Sequence, residues 1–176
     1  MIELFFDVGS PYAYLAVERF EPVVGVRPVL RPVLLGGIFK ATGRSTWGRG
    51  EEREPRMADI SARALAAGLP PVVWPENWPA DYLQAMRAAT WAGDDFARAA
   101  MRAAFSRGAD LSRVAVLCEL GPDGLEQAIA DPAVKAGLRE ATDRALALGV
   151  IGVPTTRVGD ELYWGDDRLE EIASVI

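Results

Sequence analysis

The sequence predicts an α/β fold in which a strand–helix–strand unit and a strand–strand–helix unit flank a long helical segment. Short apolar, β-rich runs lie near both ends of the chain, and a Gly-Asp pair separates the last two runs. The residues between the two units are rich in Ala, Leu, Arg and Glu at helical spacing. With 176 residues, the chain is long enough for one sizeable core with a large insertion.

The N-terminal unit begins with an apolar run, IELFF at residues 2–6, that predicts a buried strand. Ser10 and Pro11 are typical of a helix cap and of the first helical position, and residues 12–20 continue at helical spacing. A second strand is expected near residues 27–33, where two prolines indicate an edge or irregular strand. These elements form a βαβ unit.

The middle of the chain predicts a helical insertion. Residues 36–47 are expected to form a loop with one short apolar stretch. Helices are predicted over residues 53–67, 80–106, 111–120, 123–130 and 132–148. We therefore expect residues 36–148 to form an inserted all-helical domain, and residues 1–35 and 149–176 to form one discontinuous domain.

The C-terminal unit has a hairpin signature followed by a helix. The runs TTRV at residues 155–158 and ELYW at residues 161–164 are joined by Gly159-Asp160, a favoured turn pair. Residues 168–176 then predict an amphipathic helix. The four strands are expected to form one mixed sheet.

Composition excludes several classes of function. The net charge is −6 and the basic residues are dispersed, so no nucleic-acid partner is expected, and no apolar run is long enough to predict a membrane span. The start MIELFFD predicts no signal peptide and therefore a cytoplasmic location. The chain has no histidine, which excludes His-based triads and imidazole zinc sites; no metal site is expected. Cys118, the only cysteine, lies in an apolar run and is interpreted as a small core residue.

Three segments could carry chemistry. Ser10 at a helix N-terminus could donate to a bound thiolate, although Ser-Pro after a strand is also an ordinary helix cap. Val153-Pro154, at the entry to a strand, is compatible with a cis peptide whose backbone could pair with an extended peptide, or with an ordinary turn. Asp166 and Asp167 could hold an ammonium group or cap the last helix.

Together these segments resemble the 2-hydroxychromene-2-carboxylate isomerases, relatives of the kappa-class glutathione transferases within the DsbA-like thioredoxin group. The resemblance covers nearly the whole chain. It is carried by FFDVGSPYAYLA (5–16), LLGGIFKATG (34–43), WPADY (78–82) and GVPTTRVGDELYWGDDRLEEI (152–172). It implies a thioredoxin-like fold, glutathione as cofactor, an aromatic carboxylate as substrate, and a homodimer.

The resemblance also implies roles for individual residues. Ser10 matches the catalytic serine that holds the glutathione thiolate, and Val153 matches the residue before the cis-proline, Pro154, whose backbone pairs with glutathione. Three residues match the segment near the γ-glutamyl end of glutathione: Trp164, Asp166 and Asp167. Two match residues that contact the substrate: Lys40 and Tyr82. The substrate side also departs from the family, because four arginines replace its Asn/Pro loop: Arg44, Arg49, Arg53 and Arg56.

The implied activity is isomerisation of a 2-hydroxychromene-2-carboxylate-like compound. The glutathione thiolate would add to a conjugated carbon, a double bond would become a rotatable single bond, and expulsion of the thiolate would regenerate glutathione. Three alternatives remain open at this point. They are a kappa-like glutathione transferase or peroxidase, a dithiol oxidoreductase, which the single cysteine disfavours, and a non-catalytic binding module on the same fold.

Overall fold

A computed structural model describes all 176 residues and shows a four-stranded mixed sheet enclosed by helices. The strands are β1 (Ile2–Phe6), β2 (Val29–Pro32), β3 (Thr155–Val158) and β4 (Glu161–Trp164). The helices are α1 (Pro11–Val24), α2 (Leu35–Thr42), α3 (Arg53–Ala66), α4 (Leu83–Arg107), α5 (Val114–Leu120), α6 (Leu125–Ala130), α7 (Pro132–Ala147) and α8 (Leu169–Val175). Short 3₁₀ turns span Trp47–Arg49 and Asp166–Arg168.

The sheet has the order β2-β1-β3-β4, so β1 and β3 are central. β1 pairs with β2 in parallel and with β3 in antiparallel orientation, and β3 and β4 form the expected hairpin. The predicted βαβ and ββα units are confirmed, and every helix from α2 to α7 lies between them in the chain. The chain therefore has the thioredoxin-like architecture with a helical insertion.

Alternation along β1 places its side chains in two apolar layers. Leu4 and Phe6 belong to a cluster of 31 buried residues that also takes in α1 and α4, whereas Phe5 packs on the opposite face with residues of α2 and α7. The inserted helices thus share their packing with the sheet. None of the helices is long and apolar enough to cross a bilayer.

Three sequence predictions need correction. Residues 36–47 were expected to be loop, but residues 36–42 belong to α2, in which the two glycines are tolerated and Ile38 is fully buried. The helix predicted over 80–106 is interrupted at Gly93, which has φ of 80°. Cys118, expected in the core, is exposed on α5, because Leu117 is the residue of that helix that faces inward.

Candidate active site

Ser10 lies at the point where β1 gives way to α1. Its Oγ accepts a hydrogen bond from the Ala13 N–H at 3.2 Å, and its carbonyl accepts one from Tyr14 N–H at 3.1 Å, so Ser10 caps the helix as predicted. The hydroxyl proton has no acceptor in the chain, and neither does the N–H of Tyr12 in the first turn. Both groups are therefore free to donate to an anion at the positive end of α1.

The turn before Ser10 is held by residues distant in sequence. The Trp78 Nε1–H donates to the Gly9 carbonyl at 3.0 Å, and the Val8 N–H contacts the Met86 sulfur at 3.2 Å. The ring of Tyr82 packs so closely on Gly9 that a β-carbon there would overlap it. Position 9 consequently tolerates only glycine without movement of the Tyr82 ring.

Asp7, at the start of the same turn, is a buried carboxylate with 3% exposure. Its Oδ1 accepts from the Gly9 N–H and its Oδ2 accepts from the Leu35 N–H, both at 2.9 Å. Burial raises the pKa of Asp7 to about 6, while the two backbone donors, Leu35 and Gly9, lower it and the nearby charge of Asp81 raises it further.

The Val153-Pro154 peptide bond is cis, as predicted, and a second cis bond that was not predicted joins Trp78 to Pro79. Neither the N–H nor the C=O of Val153 has a hydrogen-bond partner in the chain. The Pro154 carbonyl, by contrast, accepts from the Gly165 N–H at 3.0 Å. The unpaired Val153 groups are those needed to pair with an extended peptide backbone.

One cleft of about 590 Å³ brings Ser10 and the Val153-Pro154 bond together. Aromatic side chains form much of its apolar surface: Tyr12, Phe39, Trp47 and Trp164. Trp164 packs on Gly152, where a β-carbon would lie 2.8 Å from the indole nitrogen. The free donors of α1 and the unpaired backbone of Val153 thus line the same cleft.

The two predicted acids line the cleft but differ in their surroundings. Asp166 is 1% exposed, and its Oδ2 lies 3.0 Å from Arg63 and 3.4 Å from Arg19. Burial raises the pKa of Asp166 to about 6, and the charges of Arg63 and Arg19 limit that rise. Asp167 is exposed and has no cationic partner. Asp167 is therefore the acid that is free to bind a ligand ammonium group, whereas Asp166 holds the segment in place.

The arginines of residues 44–56 divide into two groups. Arg49 and Arg53 donate to backbone carbonyls, of Pro79 at 3.5 Å and Trp78 at 3.3 Å, and do not line the cleft. These two side chains therefore stabilise the loop that contains Trp78 and Pro79, before α4.

The other two arginines of that segment, Arg44 and Arg56, line the cleft. Arg56 forms an ion pair with Glu52 at 2.7 Å. Arg44 has no carboxylate partner, and its guanidinium carbon lies 4.7 Å from the centre of the Trp164 ring. Stacking of this kind leaves the edge N–H donors of Arg44 available to an anion.

Comparison with known proteins identifies the family of the chain. The family described as "DSBA-like thioredoxin domain" matches residues 1–176. The chain belongs to that family. Within this DsbA-like protein, Ser10 is the N-cap residue of the helix that follows β1, and no cysteine lines the cleft.

Relatives of this DsbA-like protein carry two enzyme names. The chain is 28% identical to glutathione S-transferase kappa 1 of Homo sapiens, over 99% of this chain and 90% of the relative. It is 29% identical to 2-hydroxychromene-2-carboxylate isomerase of Sphingobium xenophagum, over 99% and 97%. A solved structure of 2-hydroxychromene-2-carboxylate isomerase superposes with a TM-score of 0.83 at 25% identity, covering 98% of this chain and 92% of that one. The homologues are isomerase and transferase enzymes.

Two predicted substrate residues do not line the cleft. Lys40 is exposed on α2, next to Phe39, which does line it. Tyr82 is packed on Gly9 beneath the Ser10 turn, and burial raises the pKa of its hydroxyl. Substrate contact by Lys40 or Tyr82 stays a prediction.

Several cleft residues were missed by sequence reasoning. Tyr12 and Phe39 carry no local signal, because only the fold brings α2 against α1, and Arg44 was expected only as one of four arginines on the substrate side. Asp7 had a usable signal: an acid that ends an apolar strand and stands two residues before a glycine is typical of an Asx turn.

Proposed function

We propose that this protein is a glutathione-dependent isomerase of a 2-hydroxychromene-2-carboxylate-like aromatic substrate. The observation that carries the proposal is the juxtaposition in one cleft of the free Ser10 hydroxyl and the unpaired backbone of Val153. Glutathione is an extended γ-glutamyl peptide with one thiol. Its cysteinyl backbone would pair with Val153, which places its sulfur near Ser10.

The residues present fit glutathione at its charged end as well. The γ-glutamyl ammonium group would lie against Asp167, with Trp164 beside it and Asp166 holding the segment through Arg63 and Arg19. When bound, glutathione supplies the nucleophilic sulfur that the chain lacks in the cleft. Ser10 and the first turn of α1 favour its thiolate form, because hydrogen bonds and the helix dipole stabilise the charged state.

For isomerisation, the remaining surface must bind an aromatic carboxylate and allow a bond to rotate. Arg44 supplies an unpaired cation, and Tyr12, Phe39 and Trp47 supply aromatic surface. The Trp47 ring packs on Trp78 with centroids 4.9 Å apart, and this contact stabilises the position of Trp47 in the cleft. The chain's own residues thus bind and orient the substrate, and its conversion requires no net oxidation or hydrolysis.

A kappa-type glutathione transferase or peroxidase is the second candidate, and the relatives named glutathione S-transferase kappa 1 favour it. It would use the same Ser10 and Val153 groups but release a conjugate or oxidised glutathione. A cytoplasmic location and a homodimer are parts of the same proposal.

The test is an assay of purified protein with glutathione and 2-hydroxychromene-2-carboxylate, followed by analysis of both products. Isomer formation with glutathione fully recovered supports the isomerase. A stable conjugate or oxidised glutathione supports the transferase or peroxidase instead. Asp167→Asn should raise the KM for glutathione, because it removes the charge proposed to bind the γ-glutamyl ammonium group. It should have little effect on folding, because Asp167 is exposed and has no ion-pair partner. If Asp167→Asn leaves that KM unchanged, the γ-glutamyl assignment is wrong.

A further inference from the structure

We propose that Asp7 is a positioning residue of the cleft, whose carboxylate ties the turn that carries Ser10 to the first residue of α2. The catalytic meaning of this tie rests on the proposed function. The tie itself is a property of the fold and can be tested without turnover.

The geometry of the carboxylate carries the inference. Oδ1 accepts from Gly9, the residue immediately before Ser10, and Oδ2 accepts from Leu35, which opens α2 and lines the cleft. Each bond is 2.9 Å long, so rotation of the carboxylate would break at least one of them. One side chain therefore fixes the separation of two walls of the cleft.

The start of α2 depends on this tie because it has no local cap. Leu34 occupies the N-cap position, and no side-chain capping bond is made there. Thr142 of α7 binds the Leu34 N–H at 3.0 Å, and Asp7 binds the next N–H of the chain. A carboxylate at this helix start also interacts favourably with the helix dipole.

The charges that face Asp7 make the tie sensitive to pH. Asp81, in the loop before α4, and the phenol of Tyr82 lie close, and no arginine or lysine forms an ion pair with Asp7. Burial raises the pKa of Asp7 to about 6. Protonation turns one acceptor oxygen into a donor, which weakens one of the two bonds. Both bonds should therefore be present well above pH 6, and one of them should be lost with a midpoint near pH 6 as the pH falls.

The first experiment follows the amide signals of Gly9 and Leu35 by NMR in the full chain as pH is lowered. Both amides should shift with one common midpoint near pH 6, and neither should titrate in Asp7→Asn. If the two amides have different midpoints, or if either fails to move in the wild type, the coupling does not exist. This experiment needs no substrate, so it stands even if the proposed function fails.

The second experiment measures turnover with glutathione. Asp7→Asn keeps the size of the side chain but presents an amide N–H to one of the two backbone donors. We expect kcat to fall by about 10- to 100-fold, as small misplacements of reacting groups do, and the acid limb near pH 6 to disappear from the pH profile. A merely structural role would lower the melting temperature and leave the acid limb in place, which would overturn the proposal.

Asp81→Asn is the matched control. It removes the neighbouring negative charge but keeps the oxygen that accepts from the Leu83 N–H at 2.9 Å, and it leaves both bonds of Asp7 intact. It should move the midpoint of both amide signals and the acid limb to lower pH, with kcat on the alkaline side unchanged. If neither midpoint moves, the charge of Asp81 does not act on Asp7, and the electrostatic part of the proposal is wrong.

Discussion

Substitution of Ser10 by alanine separates the two roles that the structure gives this residue. The hydroxyl caps α1 by accepting from Ala13 N–H, and its proton is free to donate to a bound sulfur. Ser10→Ala removes both bonds. It leaves the bond from Tyr14 N–H to the main-chain carbonyl of residue 10 untouched, so the helix start is weakened and not abolished.

The two losses differ in magnitude. A serine cap contributes ~1 kcal/mol to folding, and the capping bond that the variant loses is the one from Ala13 N–H at 3.2 Å. A positioned donor aimed at developing charge contributes ~3 kcal/mol to the transition state, or about 10²-fold in kcat. Turnover should therefore fall far more than stability.

Two measurements on the Ser10→Ala variant distinguish the loss of the helix cap from the loss of the donor to sulfur. Urea unfolding gives the free energy of folding, and the ultraviolet absorbance of the thiolate gives the pKa of bound glutathione. The thiol pKa should rise in the variant, because a donor to the charged form has been removed. Asp131→Ala is the matched control: Asp131 caps α7, accepts from Ala133 N–H at 2.7 Å and is likewise followed by proline, but it does not line the cleft.

We expect the Asp131 variant to lose a similar amount of stability and no activity. If Ser10→Ala keeps wild-type kcat and an unchanged thiol pKa, Ser10 is a helix cap alone. Equal loss of activity in both variants would mean that turnover follows stability, and the argument from the hydroxyl would fail.

Three further outcomes follow from the contacts described. Burial raises the pKa of Glu3, but hydrogen bonds and ion pairs with three arginines lower it to about 2. The free energy of unfolding should therefore fall by about 2 kcal/mol between pH 4.5 and pH 2, after allowance for the exposure of the arginines. Urea unfolding of Glu3→Gln should not show this decrease, and an identical decrease would contradict the assignment. Gly9→Ala should displace the Tyr82 ring and cost ~1–3 kcal/mol in thermal unfolding, and an unchanged melting temperature would refute the close approach. Arg44→Gln should weaken the binding free energy of a carboxylate-bearing aromatic by about 1–2 kcal/mol and leave that of a neutral analogue unchanged. Arg49 lies outside the cleft, so Arg49→Gln should change the binding of neither ligand. If Arg44→Gln weakens both ligands equally, Arg44 is not part of an anion site.

Much of the fold could be predicted because local signals and tertiary structure agree in it. The strand runs at both ends and the Gly159-containing hairpin were placed within a few residues. α2 was missed because its sequence, with Gly36 and Gly37, has low helix propensity. That helix is stabilised by burial of Ile38 and by the bond from Leu35 N–H to Asp7, and both are visible only once the chain is folded.

The cleft residues that lie in recognisable local motifs could be predicted from the sequence. Ser10 follows β1, Pro154 precedes β3 and Asp167 follows β4, and because β3 is antiparallel to both strands, the topology brings all three to one edge of the sheet. The opposite wall could not be predicted in this way. Arg44 and Arg49 are only five residues apart, yet Arg44 lines the cleft and Arg49 donates to the Pro79 carbonyl from the 3₁₀ turn at Trp47–Arg49.

The exposed position of Cys118 has a consequence for how the protein responds to its surroundings. A DsbA-like protein with a cysteine pair exists in oxidised and reduced forms and takes its state from the compartment. Here the only sulfhydryl lies on α5, outside the cleft, so the site has no oxidised form of its own. Under the proposed function, glutathione is the only reacting sulfur, so turnover would depend on the supply of its reduced form and would not change when a reagent blocks Cys118.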